Sequence, residues 1–103
     1  MATITASRLD QSALKFIDQS HKLLINGQWV KAASGRTFPT YNPANGEVLS
    51  HIAEGDKADA DAAVSAARQA FDHGPWRKLT ASERGRMIWK LADLLEQHTE
   101  EFA

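Results

Sequence analysis

Cysteine is absent from the 103 residues. That removes disulfides, thiolate metal sites and cysteine nucleophiles from anything this chain does by itself. An excess of one charge is also missing: 12 Lys and Arg stand against 13 Asp and Glu, for a formal charge of −1. No global field is set up to attract nucleic acid or anionic lipid. Long apolar runs are lacking too, the longest bulky one near the start being Leu23-Leu24-Ile25. The opening Met1 to Arg8 has neither the basic segment nor the apolar core of a secretory leader, and Arg8 is the only basic residue before Lys15. The cytoplasm is the expected compartment, with no membrane partner. Glycine occurs only singly, at 27, 35, 46, 55, 74 and 85. It reads as turn punctuation and not as a phosphate-cradling loop.

The first half reads as strands and turns. Ahead of it, residues 1–20 form a polar extension with a short amphipathic stretch, Ser12 to Gln19, which is too short to hold a helix in water without docking. Asn26-Gly27 accepts the positive φ angles of a tight hairpin between Leu23-Leu24-Ile25 and Gln28-Trp29-Val30. Ala33 to Arg36 forms a second turn. Thr37 to Asn42 is extended, and Pro39, with no amide hydrogen, places that segment at an edge or irregular strand. Asn42-Pro43-Ala44-Asn45-Gly46 turns into the β-prone Glu47 to Ala53.

Periodicity changes at Gly55-Asp56. Asp56 is placed to cap a helix whose stripe, Ala60, Ala63, Val64, Ala67, Ala70 and Phe71, is mostly small and suits close approach to a neighbour. His73-Gly74-Pro75 ends that helix, and Trp76 opens a connector. Thr80-Ala81-Ser82-Glu83 has capping-box spacing, and the helix behind it is expected to bury Met87, Ile88, Leu91, Leu94, Leu95 and Phe102, with Trp89 on the opposite side. Leu94 to Ala103 still reads as helix with no closing Gly or Pro. The sequence is therefore expected to be truncated, its function specified by a longer polypeptide. Alanine inflates the 43% hydrophobic content, so the self-contained core is expected to be thin.

Leu24-Ile25-Asn26-Gly27-Gln28-Trp29, Ser34-Gly35-Arg36-Thr37-Phe38, Asn42 to Val48, the Ala-rich helix from Asp56, Trp76, and Ser82-Glu83-Arg84-Gly85-Arg86 through Leu91-Ala92-Asp93-Leu94-Leu95-Glu96 are ordered and spaced in a recognisable way. Each block alone is weak. Together, from about Leu23 to Ala103, they closely resemble the amino-terminal region of the NAD(P)-dependent aldehyde dehydrogenase family.

The resemblance implies an α/β fold: an amino-terminal strand meander plus two helices of a Rossmann-like coenzyme-binding domain, incomplete here, occupying residues 21–103 after the extension. It implies a parent oxidoreductase, a homo-oligomer, that oxidises an aldehyde to a carboxylic acid with NAD or NADP. In that family a cysteine thiolate attacks the aldehyde, hydride passes to the nicotinamide, and a glutamate activates the hydrolytic water. The resemblance places those parts and the cofactor-gripping segments beyond these residues, so no catalytic or cofactor-binding residue is assigned and the chain alone is expected to be inactive. One position carries over: the backbone carbonyls of Thr40 and Tyr41, in the T-x-N-P stretch, as ligands of a monovalent cation.

Other readings compete with this one. His21, His51, His73 and His98 show no metal-ligand spacing, and Glu96, Glu100 and Glu101 read as a solvated helix face. Arg77, Lys78, Arg84, Arg86 and Lys90 with Trp76 and Trp89 have the composition of a nucleic-acid surface, but the net charge opposes it and no nucleic-acid partner is expected. The alternative function is a non-catalytic self-association or subunit-interaction module that uses strand edges and the small-residue helix face.

Overall fold

A computed structural model describes residues 11–103. Helix α1 is Gln11–Ile17, overlapping the amphipathic stretch but starting one residue before it and ending two residues short of Gln19. Phe16 lays its ring 4.4 Å from that of His21. Asn26 and Gly27 adopt φ of 53° and 71°. These are the paired positive angles of the tight turn, and they bring Leu23–Ile25 (β1) and Gln28–Val30 (β2) together antiparallel, Leu24 opposite Trp29. Thr37–Tyr41 (β3) and Val48–Ala53 (β4) form a second antiparallel pair. Pro39 lies on β3, whose other edge has no strand partner among the described residues, so its missing amide breaks no ladder bond there.

The expected meander is thus two hairpins. They are tied together through residue 21: His21 donates its amide to the carbonyl of His51 at 2.9 Å, and its own carbonyl accepts from Ala53 at 2.8 Å. The Ser50 hydroxyl adds a bond to the Gln19 carbonyl at 2.8 Å, so a buried hydroxyl is spent on backbone and not on chemistry.

Helix α2, Lys57–His73, starts at Asp56 as the sequence indicated. It ends where Gly74 donates its amide to Ala70 at 2.8 Å. A Cβ at Gly74 would stand 2.2 Å from that same carbonyl oxygen, which is backbone and cannot swing away. Gly74→Ala is therefore expected to displace the junction and to cost about 1–3 kcal/mol in a thermal melt. An unchanged melting temperature would show that the junction yields freely. Beyond it, Pro75 opens a 3-10 turn, Pro75–Lys78. Helix α3 then runs Ala81–Gln97, with Thr80 and Glu83 capping each other's amides.

Two expectations are corrected. The apolar face of α3 is not buried: Ile88 is 62% exposed and Leu94 44%, and Met87, Leu91, Leu95 and Phe102 are exposed with them. Burial needs a facing surface, and neither α2 nor the hairpins lie along α3. The stripe of α2 likewise stands open at Val64 and Phe71. The second correction concerns the last helix, which is not continuous. His98 leaves helical geometry at φ −109° and ψ 26°, and Thr99–Phe102 forms a separate turn, α4. There the Thr99 hydroxyl donates to the Glu96 carbonyl at 2.7 Å, a local bond that competes with helix continuation.

Among the described residues the buried set is Ala32, Ala53, Ser50 and Asp59. The exposed area, 8664 Å², exceeds the roughly 5,700 Å² that a compact monomer of 11.3 kDa presents. The radius of gyration, 17.7 Å, likewise exceeds the ~13 Å of a closed domain of this length.

Candidate functional site

The most constrained point is where the loop after β2 meets the start of α2. The Asp56 side chain accepts from the Ala58 amide at 3.1 Å. Asp59 answers by accepting from the Asp56 amide at 3.1 Å, closing a capping box. The second oxygen of Asp59 accepts from the Ala33 amide at 3.0 Å, across 26 residues of sequence. The amides of Asp56 and Ala33 hold the Asp59 carboxyl below its ordinary value of 3.8, while burial opposes them. Asp59 is thus an ionised, buried clamp between the hairpins and the helix.

This clamp bears on cofactor chemistry. A helix N-terminus can receive a phosphate because its first amides are free and its dipole favours anions. At α2 two carboxylates already occupy that position, and at α3 Glu83 accepts from the Thr80 amide at 2.7 Å. A pyrophosphate would meet like charge at both ends.

A cavity of about 210 Å³ opens between the hairpins, with His21, Lys22, Lys31 and Arg36 on its rim. Arg36 stands 3.8 Å from Glu54 in an exposed pair. Ser20 and Thr37 line it as well. Among the described residues, no group of three His, Asp or Glu gathers as a metal site. No described helix is long and apolar enough to cross a membrane.

Thr40 and Tyr41 lie on β3 at an irregularity: Thr40 pairs with Ser50, Tyr41 with Val48, and Leu49 is passed over. Two neighbouring carbonyls fall short of the oxygen set, about six, that a hard cation takes. The loop after them is self-contained. Asn42 donates to the Glu47 carbonyl at 2.7 Å and accepts from Gly46 at 2.7 Å, and its side chain accepts from Ala44 at 2.9 Å. The N-P-x-x-G pattern is a satisfied turn.

Three members of the basic and aromatic cluster, Arg77, Arg84 and Trp76, meet at the α2–α3 connector. Arg77 donates to the Asp72 carbonyl at 2.6 Å. Arg84 lies over the Trp76 ring at 5.8 Å, with its Nε shielded and without a hydrogen-bond partner. Trp89, expected opposite the apolar stripe, is 75% exposed.

Asp59 is the residue that sequence reasoning missed. The spacing Asp56-x-x-Asp59 was a local signal for it, as a capping box with Asp in place of Glu. Nothing in the sequence signalled its bond to Ala33.

Residues 29–103 match the Aldehyde dehydrogenase family. Aldehyde dehydrogenase family 2 member C4 of Arabidopsis thaliana is 61% identical over 82 residues, which are 80% of this chain and 16% of that protein. The mitochondrial benzaldehyde dehydrogenase of Antirrhinum majus is 58% identical over 85 residues, 82% of this chain and 16% of that one. Among solved structures, the NAD+ complex of the Bacillus cereus aldehyde dehydrogenase superposes with a TM-score of 0.84 at 48% identity, covering 90% of this chain and 19% of that one. The described mixture of strands and helices matches the amino-terminal part of that fold. The chain spans about 16% of the length of the curated relatives it matches.

Proposed function

The chain belongs to the aldehyde dehydrogenase family, and from that premise we propose that it is a structural segment of a subunit that oxidises an aldehyde to a carboxylic acid with NAD or NADP. The family match over residues 29–103 supports this reading most strongly. Residues 21–103 contribute to the coenzyme-binding domain, residues 1–20 precede it as an extension, and the complete subunit forms homo-oligomers. NAD or NADP, held by other parts of the complete subunit, would supply the hydride acceptor. The role of this chain is to set the hairpins against α2 through Asp59 and to present α2 and α3 to the polypeptide that binds the cofactor.

Grafting residues 29–103 into the Bacillus cereus enzyme in place of its matching segment tests the reading. A soluble chimera that forms NADH from an aldehyde is the expected result. A chimera that folds without activity would count against it.

A second reading, a subunit-interaction or self-association module, draws on the exposed apolar faces of α2 and α3. It predicts a defined complex from the isolated chain and a cooperative melt.

The carbonyls of Thr40 and Tyr41 remain proposed as part of a monovalent cation site that other polypeptide completes. Sodium or potassium is therefore expected to leave the melting temperature of this chain where a matched-ionic-strength control leaves it. A cation-specific rise would show a complete site within these residues.

A further inference from the structure

We propose that Asn26 is a site of spontaneous covalent modification, losing its side-chain amide through attack by the Gly27 backbone nitrogen, and that Asn45, also followed by glycine, is held against the same reaction by its turn. The inference draws on these two turns alone and does not depend on the family reading.

The reaction needs only water. The Gly27 nitrogen gives up its proton and bonds to Cγ of Asn26, Nδ2 leaves as ammonia, and a five-membered succinimide ring forms. Water then opens the ring at one carbonyl or the other, leaving aspartate or isoaspartate, and no oxidant or reductant takes part. Glycine favours the attack because no Cβ shields its nitrogen.

The chain has two such pairs, Asn26-Gly27 and Asn45-Gly46. All four residues are exposed, and open space surrounds both glycines. Access therefore does not separate the pairs; hydrogen bonding does. At the second pair both reacting groups are tied. Gly46 donates its amide to the Asn42 carbonyl at 2.7 Å. The Asn45 side-chain oxygen accepts from the Glu47 amide at 3.0 Å, and Nδ2 donates to the Glu47 carboxylate at 3.3 Å. Attack there must wait for the turn to open.

At the first pair, among the described residues, neither the Gly27 amide nor the Asn26 side chain has a hydrogen-bond partner. The ladder of the hairpin ends at Ile25 and Gln28, so the two turn residues keep their reacting groups free. Isoaspartate would carry the main chain through the side-chain carbon and lengthen this tight loop. The register that sets Leu24 opposite Trp29 would then be lost, because the loop length fixes it.

Incubating the 103-residue chain in mildly alkaline buffer, followed by peptide mapping that separates the Asn, Asp and isoaspartyl forms, reads both sites in one sample. In native buffer Asn26 is expected to convert about tenfold or more faster than Asn45. In strong denaturant, where the turn bonds are gone, the two rates are expected to come within about threefold of each other. Asn26→Gln, whose longer side chain would have to close a larger ring, is expected to remove the first signal and leave the second.

Conversion at Asn45 as fast as at Asn26 in native buffer would overturn the assignment. So would an Asn26 that stays intact in native buffer while the denatured chain converts. A native ratio that persists undiminished in denaturant would overturn it as well, since the difference would then lie in the neighbouring residues and not in the turns.

Discussion

Mixed with NAD or NADP and a simple aldehyde, the purified 103-residue chain is expected to form no NADH or NADPH above the buffer blank, against turnover of order 10 s⁻¹ for a typical enzyme. Oxidising an aldehyde by hydride transfer requires first that a nucleophile add to the carbonyl, so that a tetrahedral carbon can expel hydride. The chain has no cysteine to supply a thiolate. Its buried hydroxyl, Ser50, donates to the Gln19 carbonyl. The cofactor fares no better, because Asp56 and Asp59 fill the N-terminus of α2 and Thr80 with Glu83 that of α3. The near-ultraviolet absorbance of the reduced nicotinamide checks the expectation. A rise proportional to chain concentration, surviving repurification, would mean that the chemistry has been looked for in the wrong residues.

The second large effect is expected at Asp59. Replacing it with Asn keeps the volume but offers one acceptor oxygen where two amides, those of Ala33 and Asp56, now donate. The new NH₂ group faces a donor. Hydrogen exchange at Ala33 is expected to speed up about tenfold or more, while the Asn26-Gly27 hairpin, which does not depend on the clamp, keeps its rates.

The pH dependence has a definite sign. The carboxyl is held below 3.8 in the folded chain, so its contribution is complete above that value and is lost as pH falls through the lower, folded value. The parent chain should therefore lose Ala33 protection on acidification below about pH 4, and Asp59→Asn should show no such step at this site. Equal protection in parent and variant at pH 7 would show that the Ala33 bond holds nothing together.

What could be read from the sequence was what the backbone demands locally. Asn26-Gly27 needs positive φ, His73-Gly74-Pro75 ends α2, and Asp56, Thr80 and Glu83 satisfy amides within three residues of themselves; each signal lies where its cause lies. Features whose cause is distant were hidden. Apolar spacing on α3 correctly marked one face, but periodicity reports only that a face is suited to burial. Whether a surface faces it is a property of other residues, and here the described chain supplies none. The bond from Asp59 to Ala33 spans 26 positions and leaves no periodic trace. The break at His98 turns on a hydroxyl choosing the Glu96 carbonyl, a competition that helix propensity does not resolve. The Thr40 and Tyr41 site was legible only through family resemblance, and the strand irregularity found there neither completes it nor removes it.

The central claim is that these residues are a non-catalytic segment of an aldehyde-oxidising subunit. Reading the coding DNA past the codon for Ala103 tests it most directly. The account predicts an open frame that continues into further polypeptide containing a cysteine nucleophile. A stop codon immediately after Ala103 would contradict it, and the interaction-module reading would take its place.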